Sequence, residues 1–117
     1  MKKLVAALLA AVIHLFPYES AQAGADLSGV VQTLQIAADG KIWFAMSSPL
    51  APNYCKVGWN QLNMYIPPDN PQYTFYYGLL LASLTKEKTI YLGNISVFDG
   101  SAACDITKTG YGIVLFK

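Results

Sequence analysis

Hydrophobic and polar residues alternate with period two over much of this chain, the pattern of strands that send side chains to two faces in turn. From Ser28 to Ala38, Val30, Leu34 and Ile36 share one face, while Val31, Thr33 and Gln35 share the other. Asp39-Gly40 follows and predicts a two-residue type I′ hairpin turn, since both central positions of that turn take positive φ. Lys41 to Met46 alternates again, with Ile42, Phe44 and Met46 inward and Trp43 opposite them. Ser47 to Lys56 carries two prolines and no period, and reads as a loop. Val57 to Ile66 is the next predicted strand, with Leu62, Met64 and Ile66 facing the core. Trp59, Gln61, Asn63 and Tyr65 fall on its other face.

Pro67-Pro68 ends that strand. Asn70-Pro71 then predicts a helix start, with Asn as N-cap and Pro at N1, where its missing N–H costs nothing. The helix runs to Lys86 and is expected to bury Phe75, Tyr76, Leu79, Leu80 and Leu84. A short strand from Thr89 to Leu92, an irregular stretch from Gly93 to Asp105 and a last strand from Tyr111 to Phe116 complete the chain. The order β-β-β-α-β-β makes the domain β-rich (α+β). It is compatible with an OB-fold, a five-stranded Greek-key barrel with one helix between strands 3 and 4. A plain α+β sheet with one covering helix reads the same way.

The first residues change the inventory. Lys2 and Lys3 precede an apolar run from Leu4 to Phe16, Pro17 stops it, and Ala21-Gln22-Ala23 has the small-x-small form of a cleavage site. Residues 1–23 are therefore expected to be a signal peptide, cut between Ala23 and Gly24. The apolar run is shorter than the roughly 20 residues needed to span a bilayer, so no stable membrane anchor is expected after processing. The product, residues 24–117, is expected to be a single periplasmic or secreted domain.

Composition then excludes whole classes of function. The only histidine, His14, lies in the leader, and the chain has no arginine. Without His there is no Ser-His or Cys-His nucleophile pair and no typical His-bearing zinc site. Charge after the leader is balanced, six lysines against six acids. No cluster of cations exists to neutralise phosphates, so nucleic acid is not an expected partner. The carboxylates, Asp26, Asp39, Asp69, Glu87, Asp99 and Asp105, are scattered. A non-enzymatic protein without metal or cofactor is the expectation. Cys55 and Cys104 form an even pair in an exported small domain and are expected to join as a disulfide, against the alternatives of a metal pair or two free thiols.

A Ser-Gly-Val-Val opening to the first strand (Ser28 to Val31), an aromatic second strand (Trp43, Phe44), and a Tyr/Leu-rich helix followed by a basic turn and Ile90-Tyr91 recur together in one group. In these features the chain resembles the B subunits of subtilase cytotoxin and their small exported bacterial relatives, over most of residues 24–117. The resemblance implies an OB-fold with a disulfide and, for the toxin, a homo-oligomeric ring of five subunits binding sialylated glycans. Ser28 corresponds to a sugar-contacting serine of that group. Its acidic sugar contacts have no match after Trp43-Phe44, where the chain reads Ala45-Met46-Ser47-Ser48.

The residue pattern itself favours a binding role. Trp59 and Tyr65 with Gln61 and Asn63 between them would make an aromatic face flanked by amides, on which sugar C–H groups stack while hydroxyls find hydrogen-bond partners. Partial burial of the same aromatics, in the fold or at a subunit contact, is the competing reading. The expected function is thus a glycan-binding module with ligand residues Ser28, Trp59, Gln61, Asn63 and Tyr65. A protein-interaction or structural role in the cell envelope is the alternative.

Overall fold

The computed structural model describes residues 25–109 and 112–117. The expected signal peptide, its cleavage point and Tyr111 lie outside the described residues. The rest is an α+β domain built on two sheets. Strands β1 (Leu27–Gly29), β2 (Val31–Ile36), β3 (Ile42–Met46) and β4 (Met64–Ile66) precede the long helix, with a short helix α1 (Ala51–Tyr54) between β3 and β4. Helix α2 (Tyr73–Lys86) is followed by β5 (Ile90–Leu92), β6 (Cys104–Asp105) and β7 (Ile113–Leu115). One sheet has the order β1-β5-β7, the other β2-β3-β4-β6. All pairings are antiparallel except β4 with β6, which is parallel.

The first predicted strand is divided. Val30 separates β1 from β2, so one extended run serves both sheets. Between Val31 and Thr33 the pairing with β3 shifts by one residue. A bulge of this kind sends neighbouring side chains to the opposite face. Neither of the two expected faces is therefore buried throughout: Val31 is buried, whereas Ile36 is exposed. On β3 the expectation holds, with Ile42, Phe44 and Met46 all buried.

The hairpin turn differs from the two-residue form. Gly40 N–H donates to Ala37 O and Ala37 N–H donates to Lys41 O, both at 2.9 Å. Gly40 has φ +91° while Asp39 keeps negative φ. This is a three-residue connection in which a single left-handed residue closes a type I turn. Asp39 Oδ1 reinforces it by accepting Lys41 N–H at 3.0 Å.

Helix α2 starts at Tyr73, two residues later than the sequence predicts. Asn70 Oδ1 accepts Gln72 N–H at 2.8 Å, which folds Asn70 and Pro71 into a turn before the first helical residue. Its core-facing stripe is Tyr73, Tyr76, Tyr77, Leu80, Ser83 and Leu84, spaced three and four apart. Phe75 falls off that stripe and is 79% exposed, correcting the expectation that it is buried. The stripe packs over the interior formed by Leu27, Phe44, Met64, Ile66, Ile90, Leu92 and Ile106.

The expected strand from Val57 shortens to β4, because a tight turn intervenes. Gly58 N–H donates to Leu62 O and Leu62 N–H to Trp59 O, each at 2.9 Å. The stretch expected to be irregular holds β6, too short at two residues to leave a periodic trace, and a 3₁₀ turn at Ile95–Val97. Cys55 and Cys104 are joined as a disulfide, tying the end of α1 to β6. An oxidising, exported compartment suits such a bond. No helix among the described residues is long and apolar enough to cross a membrane.

Candidate functional site

Three strands place one outward row in register: Gln35 on β2 lies opposite Trp43 on β3, which lies opposite Tyr65 on β4. Trp43 is the hub. Its ring centroid lies 4.9 Å from that of Tyr65 and 6.2 Å from that of Trp59, tilted by 43° and 44°. Tilted contacts of this sort contribute about 0.5–1.5 kcal/mol each beyond the area they bury. Trp43 is buried beneath its neighbours, and a Cβ at Gly58 would come within 2.9 Å of its Cη2 atom. The bare backbone of Gly58 is what lets the Trp59 turn close over the sheet.

Trp59 is the exposed ring of the three, with 39% of its surface open. With Trp43, Ala37, Ala38, Asp39 and Lys41 it lines a hollow of about 420 Å³ between the β2–β3 turn and the sheet face. Lys41 Nζ sits 5.2 Å over the Tyr65 ring and 3.7 Å from Asp39 Oδ2. The ion pair is largely solvated and contributes little to stability, but it fixes a cation and a carboxylate at the rim. Asn60 Nδ2 donates to Gln35 Oε1 at 2.7 Å and ties the turn to β2. The result is an exposed indole at a hollow that a carboxylate and an ammonium group also line, with the next residue in the turn, Asn60, tied by its amide to β2.

The sequence-predicted residues separate into three places. Trp59 and Tyr65 join the aromatic cluster through Trp43. Gln61 is exposed at the tip of the turn, adjacent to Asn60. Asn63 turns inward, where its amide donates to Cys55 O at 3.4 Å, so it braces the disulfide loop. Strict alternation placed Gln61 and Asn63 beside the rings; the turn at Trp59–Leu62 breaks that alternation. Ser28 lies on the other sheet, exposed on β1 opposite Tyr91 of β5. Its surroundings are a second polar-aromatic group: Tyr91 meets Phe116 edge to face at 6.2 Å. The Tyr91 hydroxyl and the Asn94 N–H hold the Asp26 carboxyl below its ordinary value, and the same hydrogen bond to Asp26 raises the Tyr91 hydroxyl.

Gln35, Asp39, Lys41 and Asn60 were not singled out by the sequence pattern. The Asp-Gly turn was their one legible signal, because it brings Asp39 and Lys41 to the end of the hairpin that carries Trp43. Among the described residues no three His, Cys, Asp or Glu side chains gather into a metal site.

The turn itself carries strain. Asn60 and Gln61 both have positive φ, +51° and +68°. Asn tolerates this region, whereas Gln pays for its Cβ there. Gln61→Gly is expected to stabilise the domain by about 0.5–1 kcal/mol, allowing for the extra freedom of glycine in the unfolded chain. A rise in the urea midpoint checks it, and a fall would show that the Gln61 side chain makes a stabilising contact.

The chain matches no protein-family model, and neither a curated protein nor a solved structure matches it.

Proposed function

We propose that this protein is an exported, non-enzymatic glycan-binding module whose ligand stacks on Trp59. The observation that carries the reading is the exposed indole at the edge of a hollow, with Asp39 and Lys41 lining the hollow and the Asn60–Gln35 amide pair joining the same turn to β2. Sugars need this combination, an apolar ring face to lie on and several donors and acceptors for hydroxyls at its rim.

The architecture supports the same reading. Counting β1 with β2 as strand 1, β3 as 2, β4 as 3, β5 as 4 and β6 with β7 as 5, the pairings follow the cyclic order 1-2-3-5-4-1. Strands 3 and 5 are parallel and the rest antiparallel. Helix α2 falls between strands 3 and 4. We read this as an OB-fold whose barrel closes through the bend at Val30 and the split of the last strand. In that fold the strand 2–3 face and the loop between strands 1 and 2 serve oligosaccharides and oligonucleotides. The hollow lies there, and the absence of arginine and of any lysine cluster favours the oligosaccharide. Catalysis is disfavoured because the chain offers no histidine after residue 14 and its acids are scattered, with Asp99 holding Ser101 and Asp105 holding Thr107 in local turns.

Trp59→Ala is expected to abolish binding on a glycan array while changing folding stability by no more than about 1–2 kcal/mol, since the ring is partly open to solvent. Absence of binding to any glycan by the oxidised, folded protein would overturn the reading. The envelope-protein alternative gains from a separate observation: Phe75, Val114 and Phe116 are exposed. Co-purification of one envelope protein, lost on Phe75→Ser and kept on Trp59→Ala, would favour it.

A further inference from the structure

We infer that the Trp59 hollow selects a single neutral hexopyranose and discriminates against acidic sugars, an inference that rests on the glycan-binding reading above. The number of sugar rings follows from which aromatic faces are open. Trp43 is buried, and Lys41 lies over the ring of Tyr65. Of the three clustered rings Trp59 is the open one, 39% exposed, so one pyranose stacks there.

Charge at the rim decides the class of sugar. Two ionised groups line the hollow, Asp39 and Lys41, and they face one another at 3.7 Å. Their exposure is unequal: the Asp39 side chain is 60% exposed and that of Lys41 is 38% exposed. The cation is engaged twice, by the carboxylate and by the Tyr65 ring, while the carboxylate stands further out. It is also held in place, since its Oδ1 atom accepts Lys41 N–H at 3.0 Å. An incoming sugar carboxylate therefore meets a held negative charge beside an ammonium group that is already engaged. A neutral pyranose meets a strong acceptor for one or two of its hydroxyls, and charge-assisted bonds of that kind outlast neutral ones. The amides complete the set. Asn60 spends one N–H on Gln35, which leaves the Asn60 carbonyl as acceptor and the Gln35 amide N–H groups as donors.

The test titrates the full, oxidised protein with methyl β-glucoside, methyl β-galactoside, methyl glucuronide and a methyl sialoside, following the Trp59 indole N–H signal by NMR. At least one neutral glycoside is expected to bind about two- to fivefold more tightly than either acidic one, up to the size of a single repulsion at about 4 Å in water. Asp39→Asn keeps an oxygen for the Lys41 N–H, so the turn survives, and it is expected to weaken the neutral glycoside and bring the acidic ones to parity or above. Raising salt should narrow the gap in the parent protein and, in Asp39→Asn, weaken the acidic glycosides that the unpaired Lys41 now attracts. An acidic glycoside that binds as tightly as the neutral ones, and shifts the Trp59 signal, overturns the inference while leaving the glycan site standing. If no glycoside shifts that signal, the glycan reading falls and takes the inference with it.

Discussion

Replacing Cys55 and Cys104 together by alanine is expected to cost roughly 4 kcal/mol of folding stability, the chain-entropy value for a loop of this length. The bridge spans a sequence separation of 49 residues. Small domains commonly have only 5–15 kcal/mol in hand, so the variant should unfold at a much lower urea concentration, and reduction of the parent protein should reproduce the shift. Both sulfur atoms are buried, and the neighbouring backbone is braced across the bridge by Lys56 N–H to Ala102 O at 2.9 Å and Cys104 N–H to Asn63 O at 3.0 Å. These contacts lead directly to Gly58 and Trp59. The double variant should therefore lose the fixed setting of the Trp59 ring as well as stability. A loss below about 1 kcal/mol would mean that the oxidised and reduced chains share a compact unfolded ensemble, against the entropic account.

Ser83→Ala is expected to cost about 2–3 kcal/mol, more than most single-hydroxyl deletions. Ser83 is fully buried on α2, and its Oγ atom accepts Val31 N–H at 2.9 Å while donating to Lys88 O at 2.6 Å. It thus joins three pieces: the helix, the residue where the first strand bulges, and the chain leaving the helix. Alanine would strand a buried donor and a carbonyl with no replacement partner, and unmet buried groups cost about 1–3 kcal/mol each. Thr85→Ala serves as the control. The Thr85 hydroxyl donates to Leu81 O within the exposed part of the same helix, and its removal should change stability by no more than about 0.5 kcal/mol. Equal effects from the two variants would show that Ser83 acts only through helix propensity.

The disulfide and Ser83 also mark how far the sequence was legible. Cysteine pairing needed no structure, because a chain with two cysteines has a single intramolecular pairing. Ser83 gave no signal at all. A serine within a helical pattern looks like a mild flaw, and only the docking of α2 on the bulge at Val31 gives it partners. The same division runs through the site. Trp59 and Tyr65 were visible as aromatics on the face opposite Leu62 and Met64, yet Asn63 was misplaced beside them. Alternation is a local rule, and it fails where a turn such as Trp59–Leu62 resets the phase. Asp39 and Lys41 were legible as a turn and invisible as a rim.

By itself, the sequence located the long helix and most of the strands, from the period of their apolar positions, though not α1, which reads as loop, nor β6, and its composition excluded arginine chemistry. Both properties belong to residues taken singly or within one short window. The tertiary structure alone decided that strand 1 divides at Val30 between two sheets, that a two-residue β6 pairs in parallel with β4, and that Trp43 lies under Trp59 with Gly58 against it. These depend on residues distant in the chain meeting in space, and a contact leaves no period along the sequence from which it could be read.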